Sequence, residues 1–437
     1  MFSWKKVSSS SFIASISSLF FRGVSVISSF FVGWVVSRLL GVEFAGQALF
    51  FLTCITVAVV VSTLGYDSAI SKLSAELKGG SLSKLKDVVL VCCTKMIFPA
   101  FCCSVLFFIY QVSITNTWSS NSFFHTIITV ISTFICILAL TFLNLFSYIF
   151  QGLGRISLTI FSQRTVFNIL LACLLLLALW FFKFMEVEWL LRYTYIAILI
   201  SALVSLLLIS HVIFDKTLKD GRLPLSSEEK SEFYAFGKQA YRISLAQLVS
   251  IYSIQFIISI LSSMESMSGY LISGRVSSVL AFFILAVSNV LMPSIARSFH
   301  NGNYEMLKEN YNRSVVFSAC MGLPVFLVMF IFAKEILSLF GDDFEKFDIV
   351  LKILLVGQAI NCLTGASDMV LTYMGGVKSH KRNVYIGVMI SIVMSIILIP
   401  LYGAIGAAIA SLISSSLVNA LDVYCIRRRL HFGSVQS

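Results

Sequence analysis

Arg22 lies deep inside a long apolar segment, at the centre of a polar stripe. Ser15, Ser18, Ser25 and Ser29 flank it at spacings of three and four residues, which place them on one face of a helix. A charged side chain at the centre of a bilayer costs roughly 2.5–3.5 kcal/mol on insertion scales. Guanidinium groups bind phosphate oxygens through paired hydrogen bonds. We therefore predict that Arg22 binds an anionic substrate in a water-filled cavity. The alternative is a structural ion pair or carbonyl contact inside the helix bundle.

Three further basic residues fall inside apolar segments, each about 10 Å from a predicted membrane surface. They are Arg275, Arg164 and Lys95, and Asn168 lies one turn beyond Arg164 as a candidate partner on the same face. A cavity lined by such groups is typical of a protein that binds an anion. Long basic side chains also reach back to the membrane interface, so both interpretations stay open for these three residues.

Two glutamines lie two turns apart on one face of the apolar segment 241–262. Gln247 and Gln255 carry amide groups that both donate and accept hydrogen bonds, as sugar hydroxyls require. Amides also line helix–helix interfaces in membranes. Sugar binding and helix packing are equally compatible with this spacing.

A second polar face is predicted in segment 349–373, where polar positions and a glycine follow spacings of three and four residues. Its members are Gln358, Asn361, Gly365, Asp368 and Thr372. Acidic residues inside a membrane mark ion pathways or pair with basic groups. We therefore expect Asp368 either to carry a coupling proton or sodium ion, or to pair with an arginine of the cavity.

The cysteines offer no metal-binding pattern. All ten fall in apolar segments or at segment ends, and the adjacent pairs Cys92-Cys93 and Cys102-Cys103 lack the spacing of metal ligands. We predict no metal site, no cofactor and no catalytic residue, because the candidate residues above bind rather than react.

The composition indicates which elements position these residues. Of 437 residues 58% are hydrophobic and 12% charged, and the mean hydropathy is +0.93. Soluble domains carry about 25% charged residues, so an ordinary soluble enzyme is excluded. Apolar runs of membrane-spanning length predict twelve helices, at 12–36, 45–65, 88–110, 126–150, 158–182, 190–213, 241–262, 269–293, 314–338, 349–373, 384–400 and 403–425.

The loop charges set the orientation. With the N-terminus inside, Lys and Arg concentrate in the inner loops, and the outer loops hold only Lys183 and Lys346, as the positive-inside rule requires. This predicts cytoplasmic termini and explains the net charge of +11 without nucleic acid.

The longest hydrophilic stretch, 214–240, contains Ser226-x-x-Glu229, which predicts a capping box on a short surface helix. Loops this short leave no room for a soluble catalytic domain.

An internal repeat divides the chain. Gly46 parallels Gly269, and Gly152 parallels Gly375, both at an offset of 223 residues. Parallel repeats build two-lobed transporters with a binding site between the halves. We predict an all-α membrane protein with two six-helix lobes around a central cavity: an N-lobe at 1–213, a cytoplasmic linker at 214–240, and a C-lobe with a basic tail at 241–437.

Four segments resemble those of one family. Arg38-Leu39-Leu40-Gly41 resembles the junction after the first helix of polysaccharide exporters, and Gln151-Gly152-Leu153-Gly154-Arg155 resembles their turn after helix four. Gly403-Ala404-Ile405-Gly406-Ala407-Ala408 is similar to the start of their helix twelve, and Met292-Pro293 to the end of helix eight. Together the segments resemble the O-antigen (Wzx-type) flippases. Their superfamily also holds multidrug and toxin extrusion transporters and lipid II flippases.

The resemblance implies an alternating-access flippase of the bacterial inner membrane. Its substrate would be an undecaprenyl-diphosphate-linked oligosaccharide, moved from the cytoplasmic to the periplasmic leaflet. Its partners would be the lipid bilayer and the polymerase and chain-length regulator of O-antigen assembly. Arginines in helices one and eight serve the lipid II relatives, so Arg22 and Arg275 are the first residues to carry that role here.

Two other functions compete with this one. A cation-coupled multidrug exporter of the same superfamily would need acidic cavity residues for cationic drugs, whereas the predicted cavity is mainly basic. A membrane-embedded glycan polymerase would need substantial outer loops, which the predicted topology lacks.

Overall fold

The computed structural model describes residues 9–77, 83–115, 123–181, 187–217 and 226–435, and every regular element in these ranges is helical. A π-turn, Phe161–Thr165, joins α5 to α6, and a 3-10 turn, Asp342–Phe347, precedes α12. The fifteen α-helices are α1 Ser9–Ser62, α2 Tyr66–Glu76, α3 Ser83–Thr115, α4 Phe123–Gly152, α5 Ile156–Ile160, α6 Val166–Phe181, α7 Val187–Thr217, α8 Ser227–Leu261, α9 Met264–His300, α10 Tyr304–Ile331, α11 Ala333–Ser338, α12 Asp348–Thr364, α13 Ser367–Tyr373, α14 Val377–Tyr402 and α15 Ala404–Val435.

The apolar helices agree with the predicted number of spans. The described residues contain ten stretches long and apolar enough to cross a membrane, the first of them Phe20–Ser62 with 43 residues. A helix of that length is about twice as long as a bilayer core is thick. Gly41, with φ of 74° and ψ of 177°, interrupts it, so α1 supplies two spans. Adding the shorter apolar stretch Arg192–Leu208 of α7 gives twelve. The chain is a multi-pass, all-α membrane protein, as predicted.

The helices pack into two compact units. Unit 1 comprises Met1–Val32 and Phe51–Leu248, and unit 2 comprises Gly33–Phe50 and Val249–Ser437. The middle of α1 therefore packs with the second half of the chain, and α8 passes from unit 1 into unit 2. The two compact units therefore have different boundaries from the predicted lobes 1–213 and 241–437. The lobes remain a prediction that is based on the internal repeat.

Two turns, one in each unit, have the same backbone geometry. Gly154 and Gly375 have φ of 78° and 72°, which favours glycine. In both turns the glycine N–H donates to the carbonyl three residues earlier at 3.0 Å, and the next N–H donates to the carbonyl five residues earlier at 2.8 Å. Both turns have the common helix ending at a left-handed glycine, and the match of Gly152 with Gly375 stays a prediction.

The second predicted repeat pair consists of two tightly packed glycines within unit 2. A Cβ on Gly46 would lie 2.0 Å from the carbonyl oxygen of Met264, and one on Gly269 would lie 2.3 Å from the Phe347 ring. No larger residue fits at either position without movement of its neighbours. Gly46 and Gly269 therefore share a packing role.

The predicted capping box starts α8. Ser226 N–H donates to Glu229 Oε2 at 2.7 Å, and Glu229 N–H donates to Ser226 Oγ at 3.1 Å, which confirms the prediction. The helix continues unbroken for 35 residues, so the expected short surface helix and the seventh span are one element. Residues 218–225 of the predicted linker lie outside the described ranges.

The first turns of α8 pack on α2 and α3 within unit 1. Phe233 is buried with Ile70 and Leu85 in one apolar cluster. Beside it Lys72 Nζ donates to Glu232 Oε1 at 2.7 Å. This hydrogen bond raises the pKa of Lys72 above its ordinary value. The start of α8 is therefore fixed to unit 1 by a buried ring and a surface ion pair.

Candidate functional site

A polar cavity of about 450 Å³ lies within unit 2. Side chains from α8, α9, α12, α13, α14 and α15 line it, including amides, hydroxyls, two carboxylates and one imidazole. Among the described lining residues none is Lys or Arg. The cavity therefore differs from the mainly basic site that the sequence predicts.

A broken helix forms one wall of the cavity. α12 ends at Thr364, Gly365 and Ala366 have φ of 60° and 49°, and α13 begins at Ser367. A Cβ on Gly365 would lie 2.8 Å from Cα of Val315 on α10, so only glycine fits there. The continuous polar helix face predicted for 349–373 is wrong, because the chain leaves the helix at this point.

The break frees backbone carbonyls, and α10 satisfies two of them. The Tyr311 hydroxyl donates to the Thr364 carbonyl at 3.1 Å, and Ser314 Oγ donates to the Gly365 carbonyl at 3.3 Å. Irregular backbone at membrane depth is tolerated only where protein buries it or it lines a cavity. Transporters bind substrates and ions at such discontinuous helices, so this wall is a candidate binding surface.

Despite the break, three of the predicted polar residues line this one cavity. Asn361 Nδ2 donates to Gln358 Oε1 at 3.1 Å, and Asn419 of α15 donates to Asn361 Oδ1. Asp368 lies exposed in the first turn of α13 and lines the cavity with them. Thr372 instead donates its hydroxyl to the backbone oxygen of Asp368.

A carboxylate that the sequence analysis overlooked completes the site. Asp422 is fully buried. Its Oδ1 accepts from Asn383 Nδ2 at 2.8 Å, and its Oδ2 lies 2.8 Å from His380 Nδ1. The spacing of Ser415, Asn419 and Asp422 by four and three residues puts them on one helical face. This spacing could have identified Asp422 from the sequence, but the nearby basic tail made the position look like the end of the span.

Arg22 lies in unit 1, where α1 packs on the π-turn. The Phe21 and Phe161 rings meet edge to face at 5.3 Å, and the Thr165 hydroxyl donates to the Phe21 carbonyl at 3.3 Å. Half-buried Arg22 follows Phe21 in sequence, and Arg164 precedes Thr165. The two arginines therefore flank one helix contact at a π-turn, an irregularity that is frequent at functional sites. The Arg164 side chain lies outside the described part of the chain.

The polar stripe around Arg22 is partly a helix–helix contact. Asn168 Nδ2 donates to the carbonyl and the hydroxyl of Ser25, at 3.3 and 3.4 Å. Asn168 therefore bonds to Ser25 of α1, whereas the sequence suggested Arg164 as its partner. The side chains of Ser15 and Ser18 lie outside the described residues, so the water-filled face stays a prediction.

Arg275 lies in unit 2 against a glycine of α1. A Cβ on Gly33 would lie 3.2 Å from Arg275 Cδ and 3.4 Å from its Nη1, so the guanidinium packs on bare backbone. Nearby residues of α1 make further contacts within unit 2: Trp34 Nε1 and Arg38 Nε both donate to the Leu339 carbonyl, at 2.7 and 2.9 Å. Arg275 is half-buried, and its role in substrate binding stays a prediction.

The other predicted residues lie elsewhere. Lys95 Nζ lies 3.9 Å from the centre of the Tyr234 ring, beside the start of α8. Gln247 is exposed and Gln255 is half-buried. The residues of α8 that line the cavity, Ser250 and Ile254, fall between these two glutamines in sequence. Substrate binding by these three predicted residues stays a prediction.

Comparison with known proteins places this fold. Residues 243–401 match the MatE family model. The chain is 25% identical over 173 residues to the probable low-salt glycan biosynthesis flippase Agl15 of Haloferax volcanii, covering 38% of this chain and 36% of that protein. It is 22% identical over 157 residues to the probable flippase AglR of the same organism, covering 35% and 33%. The chain thus spans about a third of these curated relatives.

Solved structures share the fold over nearly the whole chain. The lipid II flippase MurJ in an inward closed conformation has a TM-score of 0.69 at 15% identity, covering 97% of this chain and 90% of that one. An inward-facing multidrug resistance MATE family transporter of the MOP superfamily has a TM-score of 0.67 at 15% identity, covering 97% and 99%. The chain therefore has the fold of MATE transporters and MurJ.

Proposed function

We propose that this chain is a flippase that moves undecaprenyl-diphosphate-linked O-antigen repeat units from the cytoplasmic to the periplasmic leaflet of a bacterial inner membrane. The observation that carries the proposal is the set of arginines inside apolar helices. Half-buried Arg275 packs on Gly33, and Arg22 and Arg164 flank one contact at a π-turn. Guanidinium groups bind phosphate oxygens in paired geometry, which suits a diphosphate headgroup.

The relatives support a lipid-linked glycan as the substrate. Agl15 is named as a glycan biosynthesis flippase and AglR as a flippase, and MurJ, which shares the fold, as a lipid II flippase. The prenyl tail would stay in the bilayer while the protein binds the headgroup. The polymerase and chain-length regulator of O-antigen assembly would then act on the translocated unit.

A conformational cycle, without bond chemistry, would carry the headgroup across the membrane. The chain would alternate between states that open to opposite sides. Asp368 is the candidate for coupling this cycle to a proton or sodium ion, because it is exposed in the cavity at the start of α13.

A second candidate function is cation-coupled multidrug export. The cavity of unit 2 favours it, because Asp368 and Asp422 supply carboxylates there and no described lining residue is Lys or Arg. Carboxylates attract cationic drugs. The multidrug resistance MATE transporter has the same fold, so direct measurement must separate the two functions.

Deletion of the gene in its host separates the candidate functions. Lipid-linked oligosaccharides would be assayed in each leaflet, and surface polysaccharide would be examined on gels. Units trapped in the cytoplasmic leaflet, with loss of surface glycan, are expected from a flippase. Unchanged glycan with new drug sensitivity would identify a multidrug exporter. Single units accumulating on the periplasmic side would instead identify a polymerase.

Substitution of Arg22 tests the proposed binding site. Arg22→Ala should abolish surface O-antigen while the protein stays in the membrane, because the diphosphate loses its guanidinium partner. Arg22→Lys should restore only part of the activity, because an ammonium cannot make paired hydrogen bonds to phosphate. The control is Arg382→Ala, at an exposed position of α14. Normal O-antigen in the Arg22→Ala strain would remove Arg22 from the site.

A further inference from the structure

The cavity of unit 2 has hydrogen-bonding capacity that the protein leaves unused. Ser367 is 2% exposed and lines the cavity, yet its hydroxyl makes no hydrogen bond to described protein atoms. A buried polar group without a partner costs about 1–3 kcal/mol. Because Ser367 lines the cavity, its hydroxyl is a candidate partner for a polar ligand there.

The amides beside Ser367 offer both kinds of hydrogen-bonding group. Gln358 contributes its oxygen and Asn419 its NH2 group to their network with Asn361. Since each side-chain amide has two donors and an acceptor oxygen, donors of Gln358 and the carbonyl oxygen of Asn419 remain for a ligand. Hydroxyls both donate and accept, so a polyhydroxylated molecule matches this wall.

The size and apolar parts of the cavity also suit a sugar ring. Its volume of about 450 Å³ lies in the range of small-molecule pockets. Ile284, Val384 and Val388 line it together with the polar groups. A pyranose presents hydroxyls around its rim and C–H groups on its faces, so polar and apolar walls can bind it together.

The charge of the cavity limits which sugars fit. Asp368 and Asp422 line it, and His380, which pairs with Asp422, is the one basic side chain in the described lining. A ligand carboxylate would meet the exposed Asp368 carboxylate with no arginine or lysine in the described lining to offset the repulsion between like charges. Neutral and amino sugars avoid this repulsion.

We propose that the cavity of unit 2 binds a sugar of the lipid-linked substrate and selects neutral or amino-substituted sugars over acidic ones. This inference rests on the proposed flippase function and names the sugar class. It assigns recognition of the sugar to α12, α13 and α15, separately from the arginines proposed to bind the diphosphate.

Binding to the purified full-length protein in lipid nanodiscs tests the proposal. The probes share a farnesyl diphosphate and differ in the group esterified to its outer phosphate. That group is N-acetylglucosamine, glucosamine or glucuronic acid, or a methyl group that keeps the phosphate charge equal and serves as the bare farnesyl diphosphate. The N-acetylglucosaminyl and glucosaminyl probes should bind more tightly than bare farnesyl diphosphate. The glucuronosyl probe should bind at least about tenfold more weakly than the glucosaminyl probe.

Two substitutions connect this selectivity to the cavity. Ser367→Ala removes a hydroxyl with no protein partner and should weaken the N-acetylglucosaminyl probe about two- to tenfold, as expected for one hydrogen bond. Ser318→Ala is the matched control, because Ser318 is also buried and unpartnered but lies outside the cavity lining. Asp368→Asn should strengthen binding of the glucuronosyl probe and leave bare farnesyl diphosphate unchanged.

The outcomes separate failure of this inference from failure of the proposed function. If all four probes, bare farnesyl diphosphate included, fail to bind while a cationic dye binds, the flippase function is wrong. If bare farnesyl diphosphate binds as tightly as the sugar probes, or if Ser367→Ala matches its control, the sugar site alone is wrong. Free N-acetylglucosamine binding as tightly as its lipid-linked form would overturn the assignment to a lipid-linked sugar.

Discussion

Gly365 decides the shape of the cavity wall at the residue scale. Its φ of 60° and its approach to the α10 backbone both require a residue without a Cβ. The turn that it makes exposes the end of α12 and starts α13 beside the cavity. One residue thus converts a membrane helix into a discontinuous one.

Gly365→Ala should lower the free energy of unfolding by about 2–4 kcal/mol, because left-handed backbone strain and overlap with Val315 add together. Thermal unfolding of the purified protein in detergent measures this. Gly274→Ala on α9 is the control, since a Cβ there meets nothing within 4 Å. Equal unfolding temperatures for the two variants would show that the break tolerates a side chain.

Asp422 is the other residue whose environment sets its role. It is buried and accepts from Asn383, which is itself fully buried. Asp422→Ala should cost about 2–4 kcal/mol of unfolding free energy, because the buried amide of Asn383 keeps only its weak bond to Cys425 Sγ and the His380 ring loses its carboxylate partner.

Asp422→Asn provides the comparison, because its amide oxygen can still accept from Asn383 and its NH2 can donate to a neutral His380. It should therefore lose less stability than the alanine variant. Asp343→Ala, at an exposed position of the 3-10 turn, should stay within about 0.5 kcal/mol of the unsubstituted protein. An Asp422→Ala protein as stable as Asp343→Ala would contradict a structural role for the pair.

At the scale of the element, α8 combines two functions that the sequence suggested separately. Its first turns pack on α2 and α3, and its later turns enter unit 2 and line the cavity through Ser250 and Ile254.

Phe233→Ala should destabilise the protein by about 3 kcal/mol, the usual cost of removing a buried ring. Phe236→Ala, one turn along and 36% exposed, should cost at most about 1 kcal/mol, including its contact with the Lys72 ammonium. Thermal unfolding in detergent compares the two variants. Similar losses would mean that the start of α8 is not anchored by its buried ring.

At the scale of the whole molecule, the direction of the spans is predicted from the loop charges. The turn around Gly302, between α9 and α10, is predicted to be cytoplasmic, and the turn at Gly341 is predicted to be outside. Both glycines lie in connections between helices. A reporter protein fused at either glycine therefore comes after a complete membrane span.

Alkaline phosphatase fused after Gly341 should be active, whereas fusions after Gly302 and after the C-terminus should be inactive, because the enzyme folds only outside the cytoplasm. Green fluorescent protein at the C-terminus should fluoresce. Activity of phosphatase at the C-terminus would invert the predicted orientation and with it the proposed direction of transport.

Local properties of the sequence determined the membrane class, the twelve spans and the capping box of α8. Hydropathy sums over single residues, and a capping box joins residues three positions apart, so neither depends on the fold. Small residues at the start of α15 also predicted close packing. A Cβ on Gly406 would lie 2.2 Å from the Leu398 carbonyl oxygen, across a turn of one residue.

Only the tertiary structure decided where the candidate site lies. His380 and Asp422 are 42 residues apart, and Ser25 and Asn168 are 143 residues apart. The break at Gly365 depends on contacts with α10, and the middle of α1 packs with residues more than 200 positions later. Such contacts form only when distant segments pack together. The sequence therefore predicted candidate residues one helix face at a time, and the packing of distant helices decided which of them share a cavity.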